Sequence, residues 1–226
     1  MKTLILMAHP HVDNSYTQQF LARAAQIENV TWHSLDSSMP FDVAAERNLF
    51  LDHDRIIFQF PLYWYSAPAS LKEWEDLVLA DQFDTMNFNE KQLGLVISTG
   101  QPSDAYERGG TEHFGMGEIT TPFQAVALKL GMTFLPPLII SQFAYQTDEE
   151  KAQLLIKYQR YLTQEPLNNL QVKITWLISR LNQLELDEAT KQRVQLIMTE
   201  LQNGTEQLSD LQDTLALIKR EGEIDG

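Results

Sequence analysis

The sequence predicts an α/β protein: a parallel sheet covered by helices on both faces, continued by a helical extension. Two observations carry the sheet. Four short, densely apolar runs of the kind that strands buried on both faces require, and one alternating run, recur between residues 3 and 141. Segments of helical periodicity separate them, and alternation at this spacing argues for parallel pairing. The extension rests on a third observation, a 3-4 repeat of leucine, isoleucine and valine beyond residue 166.

The elements follow in chain order. Residues 3–8 form the first strand, and Ser15 can cap a helix over about 15–27, with Phe20, Leu21, Ala24 and Ala25 at helical spacing. "VTWHSL" (30–35) alternates as a strand, "DVAAERNLFLDH" (42–53) reads as a helix, and "RIIFQF" (55–60) is another buried strand. Pro68 stands where prolines open helices, ahead of "ASLKEWEDLVLA". "QLGLVIST" (92–99) is the fourth strand, and a helix over about 119–131 stops at Gly131, a C-cap position. "TFLPPLIIS" (133–141) supplies the fifth strand, and a helix over 147–163 ends before Glu165-Pro166.

Beyond it, Leu170, Ile174, Leu177, Leu181 and Leu184 keep heptad spacing, as do Val194, Ile197, Leu201, Leu208, Leu211, Leu215 and Ile218. This reads as an αα-hairpin broken at 184–190 with Asp187 as a cap, and interrupted again at Asn203-Gly204, because glycine costs about 1 kcal/mol in a helix interior. The expected division is a domain over 1–164 and a helical hairpin over 165–226 that serves packing or oligomerisation.

Composition excludes several classes. A net charge of −14, from 31 acidic and 17 basic residues, repels nucleic acid. No run reaches the ~18 apolar residues of a membrane helix, and the first residues read as a strand more than a leader. The absence of cysteine rules out disulfides, iron–sulfur clusters and thiol catalysis. The expected location is the cytoplasm. The histidines at 9, 11, 33, 53 and 113 show no metal-ligand spacing, so no metal is expected. The carboxylates, Asp52, Asp54 and Glu73 among them, read as solvated surface, and Trp74 reads as core.

Right-handed crossovers bring the carboxyl ends of parallel strands to one edge, where ligands of such sheets sit. Three loops meet there: 9–15, 61–66 and 99–115. The first has the position of a phosphate-binding loop but no glycine, lysine or arginine. An anion in it would rely on backbone N–H groups, the hydroxyls of Ser15 and Thr17, the helix dipole and one donor from His9. The second loop carries Pro61, Leu62, Tyr63, Trp64 and Tyr65. Either these build a small aromatic core beneath the loop, or they stack on a flat aromatic ligand.

"AHPHxxxS", "FPLYWYSxPAxLKxW", "STG" and "GMTFLPP" (131–137) together resemble the flavodoxin-like NAD(P)H:quinone reductases, a family that includes the ancillary flavoproteins of glutathione-regulated potassium efflux. The likeness covers about 1–163. It implies a five-stranded parallel sheet in the order 2-1-3-4-5. By resemblance His9, Ser15, Tyr16, Thr17 and Gln18 match the flavin-phosphate site, and Leu62, Tyr63, Trp64 and Tyr65 match the segment along the isoalloxazine edge. Ser98, Thr99, Gly100 and Gln101 match the "TTGG" loop, with Gly100 letting main chain approach the flavin's pyrimidine end. The chain departs from the pattern at Ser98, where threonine is usual, and at Gln101, where a second glycine is usual. Tyr106 matches a tyrosine near the flavin. His113 lies one residue from an active-site histidine of some members.

The resemblance implies hydride transfer from NADH or NADPH through flavin to a quinone-like acceptor in a ping-pong cycle, with the protein supplying binding and electrostatics. FMN is the expected cofactor, and FAD also fits the loop. Amides of Thr99 and Gly100 would stabilise negative charge on the flavin; Tyr106 or His113 would donate a proton, and Arg108 could meet a 2′-phosphate. A homodimer is expected from the family. A second implied role is regulatory, with a potassium-efflux transporter as membrane partner. A one-electron carrier fits less well, since such carriers place Ser/Thr and Gly where this chain has "HPHVDNS".

Overall fold

The computed structural model describes residues 1–165, 167, 169–183 and 187–224. They form two compact units, Met1–Thr163 and Gln164–Gly226. In the first unit the strands are β1 (Thr3–Met7), β2 (Val30–Ser34), β3 (Arg55–Pro61), β4 (Gln92–Thr99), β5 (Thr133–Phe134) and β6 (Leu138–Ser141). All pairings are parallel. The order is β2-β1-β3-β4-β5, with β6 also on β4. This is the 2-1-3-4-5 arrangement, with one correction: the run 133–141 is two strands, not one. Pro136 and Pro137 lie between them and supply no N–H to a ladder.

The first unit's helices are α1 (Tyr16–Ala24), α2 (Leu35–Ser38), α3 (Val43–Leu51), α4 (Ala69–Val78), α5 (Met116–Ile119), α6 (Thr121–Lys129) and α7 (Asp148–Thr163). Their starts follow local chemistry. The Ser15 hydroxyl accepts from Gln18 N, the Asp42 carboxylate accepts from Ala44 N and Ala45 N, and Pro68 precedes α4. The helix expected over 119–131 begins earlier, as α5, and restarts at Thr121 with Pro122 in its first turn. It ends where Gly131 turns with φ +72°.

Alternate strand residues face opposite layers. Leu4, Leu6, Ala8, Ile56, Phe58 and Phe60 pack with Phe50, Leu71, Trp74 and Phe123 in one core. Ile57 and Gln59 face the other way, toward Tyr161 and Tyr158 of α7. Each large side chain so buried contributes about 1.5–3 kcal/mol. Arg55, fully buried at the start of β3, donates from Nε to Gln92 Oε1 at 2.7 Å and also to the Tyr161 carbonyl. Leu95 N donates to Tyr161 Oη at 3.1 Å, a further tie from the sheet to α7.

Trp74 is core, and its indole nitrogen donates to Glu46 Oε2 at 2.8 Å. Glu46 corrects the expectation that the carboxylates are all solvated: it is buried, with His33 Nε2 2.8 Å from its other oxygen. A buried carboxylate persists only with partners at both oxygens, and here it has them.

The second unit holds α8 (Leu170–Asn182), capped by Asn169, and α9 (Glu188–Ile224), which starts from Asp187. The two helices pack together. The expected interruption at Asn203-Gly204 is absent: α9 runs through it. One glycine costs about 1 kcal/mol, too little to break a helix that propagates cooperatively on both sides. Leu184 lies outside the described residues, as do the side chains of Leu208, Leu215 and Ile218. Leu170, Ile197 and Leu211 of the apolar repeat are exposed. Among the described residues no helix is long and apolar enough to cross a membrane.

Candidate functional site

The three expected loops do meet at the carboxyl edge of the sheet, where they line a cleft of about 260 Å³. His9, Ser15 and Thr17 come from the first loop, Pro61, Leu62 and Tyr63 from the second, and Ser98, Thr99 and Gly100 from the third. A fourth segment, Gln142 to Tyr145, completes the wall. Sequence reasoning missed it, although the same edge rule applies to the residues that follow the last strand.

Backbone hydrogen bonds tie the segments together. Leu62 N donates to Ser98 O at 2.9 Å, and Gln142 N donates to Thr99 O at 2.9 Å. The Thr99 hydroxyl donates to Gln101 O at 2.8 Å. Phe20 of α1 packs on Phe143 with centroids 5.1 Å apart.

His9 is held in one protonation state. Its backbone N–H donates to Asp36 Oδ2 at 2.6 Å, and its ring Nδ1 accepts from His11 N at 3.1 Å. An accepting Nδ1 leaves the ring hydrogen on Nε2. Burial holds the imidazole below its usual pKa, with the Asp36 carboxylate opposing. At neutral pH His9 is therefore a neutral donor. The lining residues include no carboxylate, lysine or arginine; an anion here would meet only dipoles, hydroxyls and N–H groups at the start of α1.

The second loop is strained. Tyr63 N donates to Ser66 O and Ser66 N to Tyr63 O, both at 3.0 Å. The two residues between them, Trp64 (φ +49°) and Tyr65 (φ +63°), both adopt positive φ. That is the pattern of a type I′ turn, which asparagine and glycine favour and bulky residues resist. The turn's aromatics do not form a core beneath the loop: Trp64 is 93% exposed, and Tyr63 and Tyr65 are about half exposed. Backbone strain and exposed aromatic surface coincide in this one turn.

The remaining candidates lie off the cleft. Tyr16 is exposed, and Gln101 is exposed beyond Gly100. The Tyr65 hydroxyl donates to Glu112 at 2.8 Å. Gln18 is buried, and its Nε2 has no partner. Tyr106 is nearly buried, its phenol held protonated chiefly by burial and then by Glu112. His113 is exposed with φ +62°. The structure brings neither Tyr106 nor His113 to the cleft wall.

Residues fit a phosphorylated aromatic group on three counts. Ser15 and Thr17 bring their hydroxyls to the cleft wall at the start of α1. A Cβ added at Gly100 would meet nothing within 4 Å, so the space beside that backbone is open. Tyr63, which opens the strained turn, lines the cleft beside it.

A family model described as the flavodoxin-like fold matches residues 1–162. The glutathione-regulated potassium-efflux system ancillary protein KefG of Cronobacter sakazakii is 38% identical over 174 residues, spanning 74% of this chain and 94% of that protein. An NADPH-quinone reductase structure from P. pentosaceus shares 44% identity with a TM-score of 0.68, covering 72% of this chain and 98% of the other. General stress protein 14 of Treponema denticola, solved in complex with FMN, shares 28% identity with a TM-score of 0.64, covering 72% and 100%. On the extent of these matches and the strand order described above, the chain belongs to the flavodoxin-like fold family.

Proposed function

We propose that the chain is an NAD(P)H:quinone oxidoreductase that holds FMN in the cleft at the carboxyl edge of its sheet. The observation that carries the proposal is the meeting of an uncharged, donor-lined helix start with a strained aromatic turn across one cleft. Relatives named as a quinone reductase and as an FMN complex support it. FMN is preferred over FAD because the lining offers one group of anion donors.

Within this reading the backbone N–H groups at the start of α1, the Ser15 and Thr17 hydroxyls and His9 Nε2–H would hold the phosphate. The segment Leu62 to Tyr65 would lie along the ring edge, with Leu62 N and Tyr63 N already donating to Ser98 O and Ser66 O, while Pro61 and Tyr63 would wall it from water. The Thr99 and Gly100 amides donate to the pyrimidine end and favour negative charge there. Bound FMN supplies the two-electron chemistry: NAD(P)H and a proton are consumed, and a quinone becomes a hydroquinone. One cleft serves both substrates in turn, which makes the kinetics ping-pong. Tyr106, whose phenol burial pushes above its usual pKa, and His113 are the groups proposed for proton delivery from the 99–115 loop, from positions outside the cleft wall. The same reading takes the protein as a cytoplasmic homodimer, with residues 165–226 as its packing or oligomerisation element.

An absorption spectrum tests the core of the proposal. Purified protein should show a flavin band that bleaches with NAD(P)H and recovers with a quinone. Bound flavin that never bleaches would overturn the enzyme reading. The likeness to KefG favours one further role, regulation of a potassium-efflux transporter, which co-purification with that transporter tests.

A further inference from the structure

The second and third loops of the cleft are tied to each other at two points. At the base, Leu62 N donates to Ser98 O at 2.9 Å. At the tip, the Tyr65 hydroxyl donates to Glu112 Oε2 at 2.8 Å. Leu62 and Tyr63 of the second loop line the cleft, as do Ser98, Thr99 and Gly100 of the third.

The two partners at the tip stand on different supports. Glu112 belongs to a compact frame: its N–H donates to Ala105 O at 3.1 Å, and His113 N donates to Gly110 O at 3.1 Å. The backbone there is packed so closely that a Cβ on Gly110 would meet Asp104 O and Ala105 O at 2.4 Å. Ala105 and Tyr106 within the frame are buried. Tyr65 stands instead on the turn in which it and Trp64 both take positive φ, a conformation that bulky residues resist. Trp64 is 93% exposed and packs too little to hold that shape. A phenol donating to a carboxylate makes a charge-assisted bond. That bond pushes the Tyr65 phenol above its usual pKa, so the donated hydrogen stays on it at neutral pH.

We propose that Glu112 is a positioning residue: by accepting from Tyr65 it clasps the strained turn to the third loop, keeps Leu62 and Tyr63 on the cleft wall, and so fixes the edge against which the flavin ring lies. Glu112 itself lies outside the cleft wall and acts through Tyr65. The inference rests on the FMN reading above. It gives Tyr65 a role through its hydroxyl, separate from any stacking by its ring. Because the clasp shapes the wall beside the ring and not the anion end, its loss weakens flavins with and without a phosphate alike.

Titrations of flavin-free, full-length protein with FMN and with riboflavin, which has the same ring and no phosphate, test it. Tyr65→Phe keeps the aromatic ring and removes the donor; Glu112→Ala removes the acceptor. Each should weaken both ligands about fivefold, the scale of one partly exposed hydrogen bond to a charged group. Glu112→Gln, which keeps an acceptor, should stay within about twofold of the wild type, a rescue that general loosening of the loop would not give. The double variant Tyr65→Phe/Glu112→Ala should bind no more weakly than either single variant, because both remove the same bond. Unchanged affinity in both single variants, losses that add in the double variant, a loss confined to FMN, or a Glu112→Gln variant as weak as Glu112→Ala overturns the positioning role. A wild type that binds neither flavin overturns instead the FMN reading on which it stands.

Discussion

Replacing Trp64 with asparagine should make the flavin-free protein more stable while weakening its hold on FMN. Trp64 sits at φ +49° in the first central position of the Tyr63–Ser66 turn, a position where asparagine is favoured. The left-handed conformation costs an ordinary L-residue about 1–2 kcal/mol. The indole offsets little of that by packing, because the residue is 93% exposed; the lost burial is worth a few tenths of a kcal/mol, roughly. The net gain is about 1 kcal/mol, or about 2–4 °C in Tm for a unit of this size. The binding side has the opposite sign: an aromatic contact beyond area burial is worth about 0.5–1.5 kcal/mol, so FMN affinity should fall roughly two- to tenfold. Thermal melts of flavin-free protein and FMN titration by fluorescence quenching measure the two effects. A variant that is less stable than the wild type would refute the strain reasoning. One that is more stable yet binds FMN equally well would show that the strain is not kept for the ligand.

Three further outcomes bear on the scaffold. Burial pushes the Glu75 carboxyl up to about 7, with Lys72 opposing, and its Oε1 has no partner. The folded state thus holds this proton more tightly than the unfolded chain, so the group's penalty is absent below about pH 4.5, builds between about 4.5 and 7 and levels off above that. Glu75→Gln should add roughly 1–3 kcal/mol at pH 8 and almost nothing at pH 4.5, measured as urea midpoints. Gly94→Ala would set a Cβ 2.7 Å from both Ile57 Cδ1 and Tyr161 Oη; overpacking of this kind costs about 1–3 kcal/mol in the same assay. Trp74→Phe leaves Glu46 Oε2 without its indole donor and should cost about 1–3 kcal/mol, with wild-type behaviour counting against the bond.

The strands that were easiest to read were those buried on both faces. "QLGLVIST" coincides with β4 because an unbroken apolar run admits no other environment. The double proline in "TFLPPLIIS" carries the signal that the strand divides, against the apolar continuity of the run. At Gly204 the reverse holds: the local propensity signals a break, and the helix that its neighbours sustain runs through it. In the site, Ser15, Thr17, Tyr63 and Gly100 were legible because loop position and residue type agree. Gln142 to Tyr145 are not legible in the sequence, because "SQFAY" resembles no phosphate or ring motif and is placed only by topology. Glu112 is invisible for another reason: it reads as loop surface, and a bond between two loops appears only in three dimensions. Glu46 belongs with it, its burial set by Trp74 and His33 from separate elements.

The division of the last strand also bears on how molecules avoid one another. The β5–β6 pair lies beside β4 on the outer margin of the sheet. An open margin invites a strand from another copy to dock and propagate into fibrils. Pro136 and Pro137 interrupt it with consecutive residues that have no amide hydrogen to offer. The kink that spoils the regularity of the strand therefore also denies an incoming chain a continuous template.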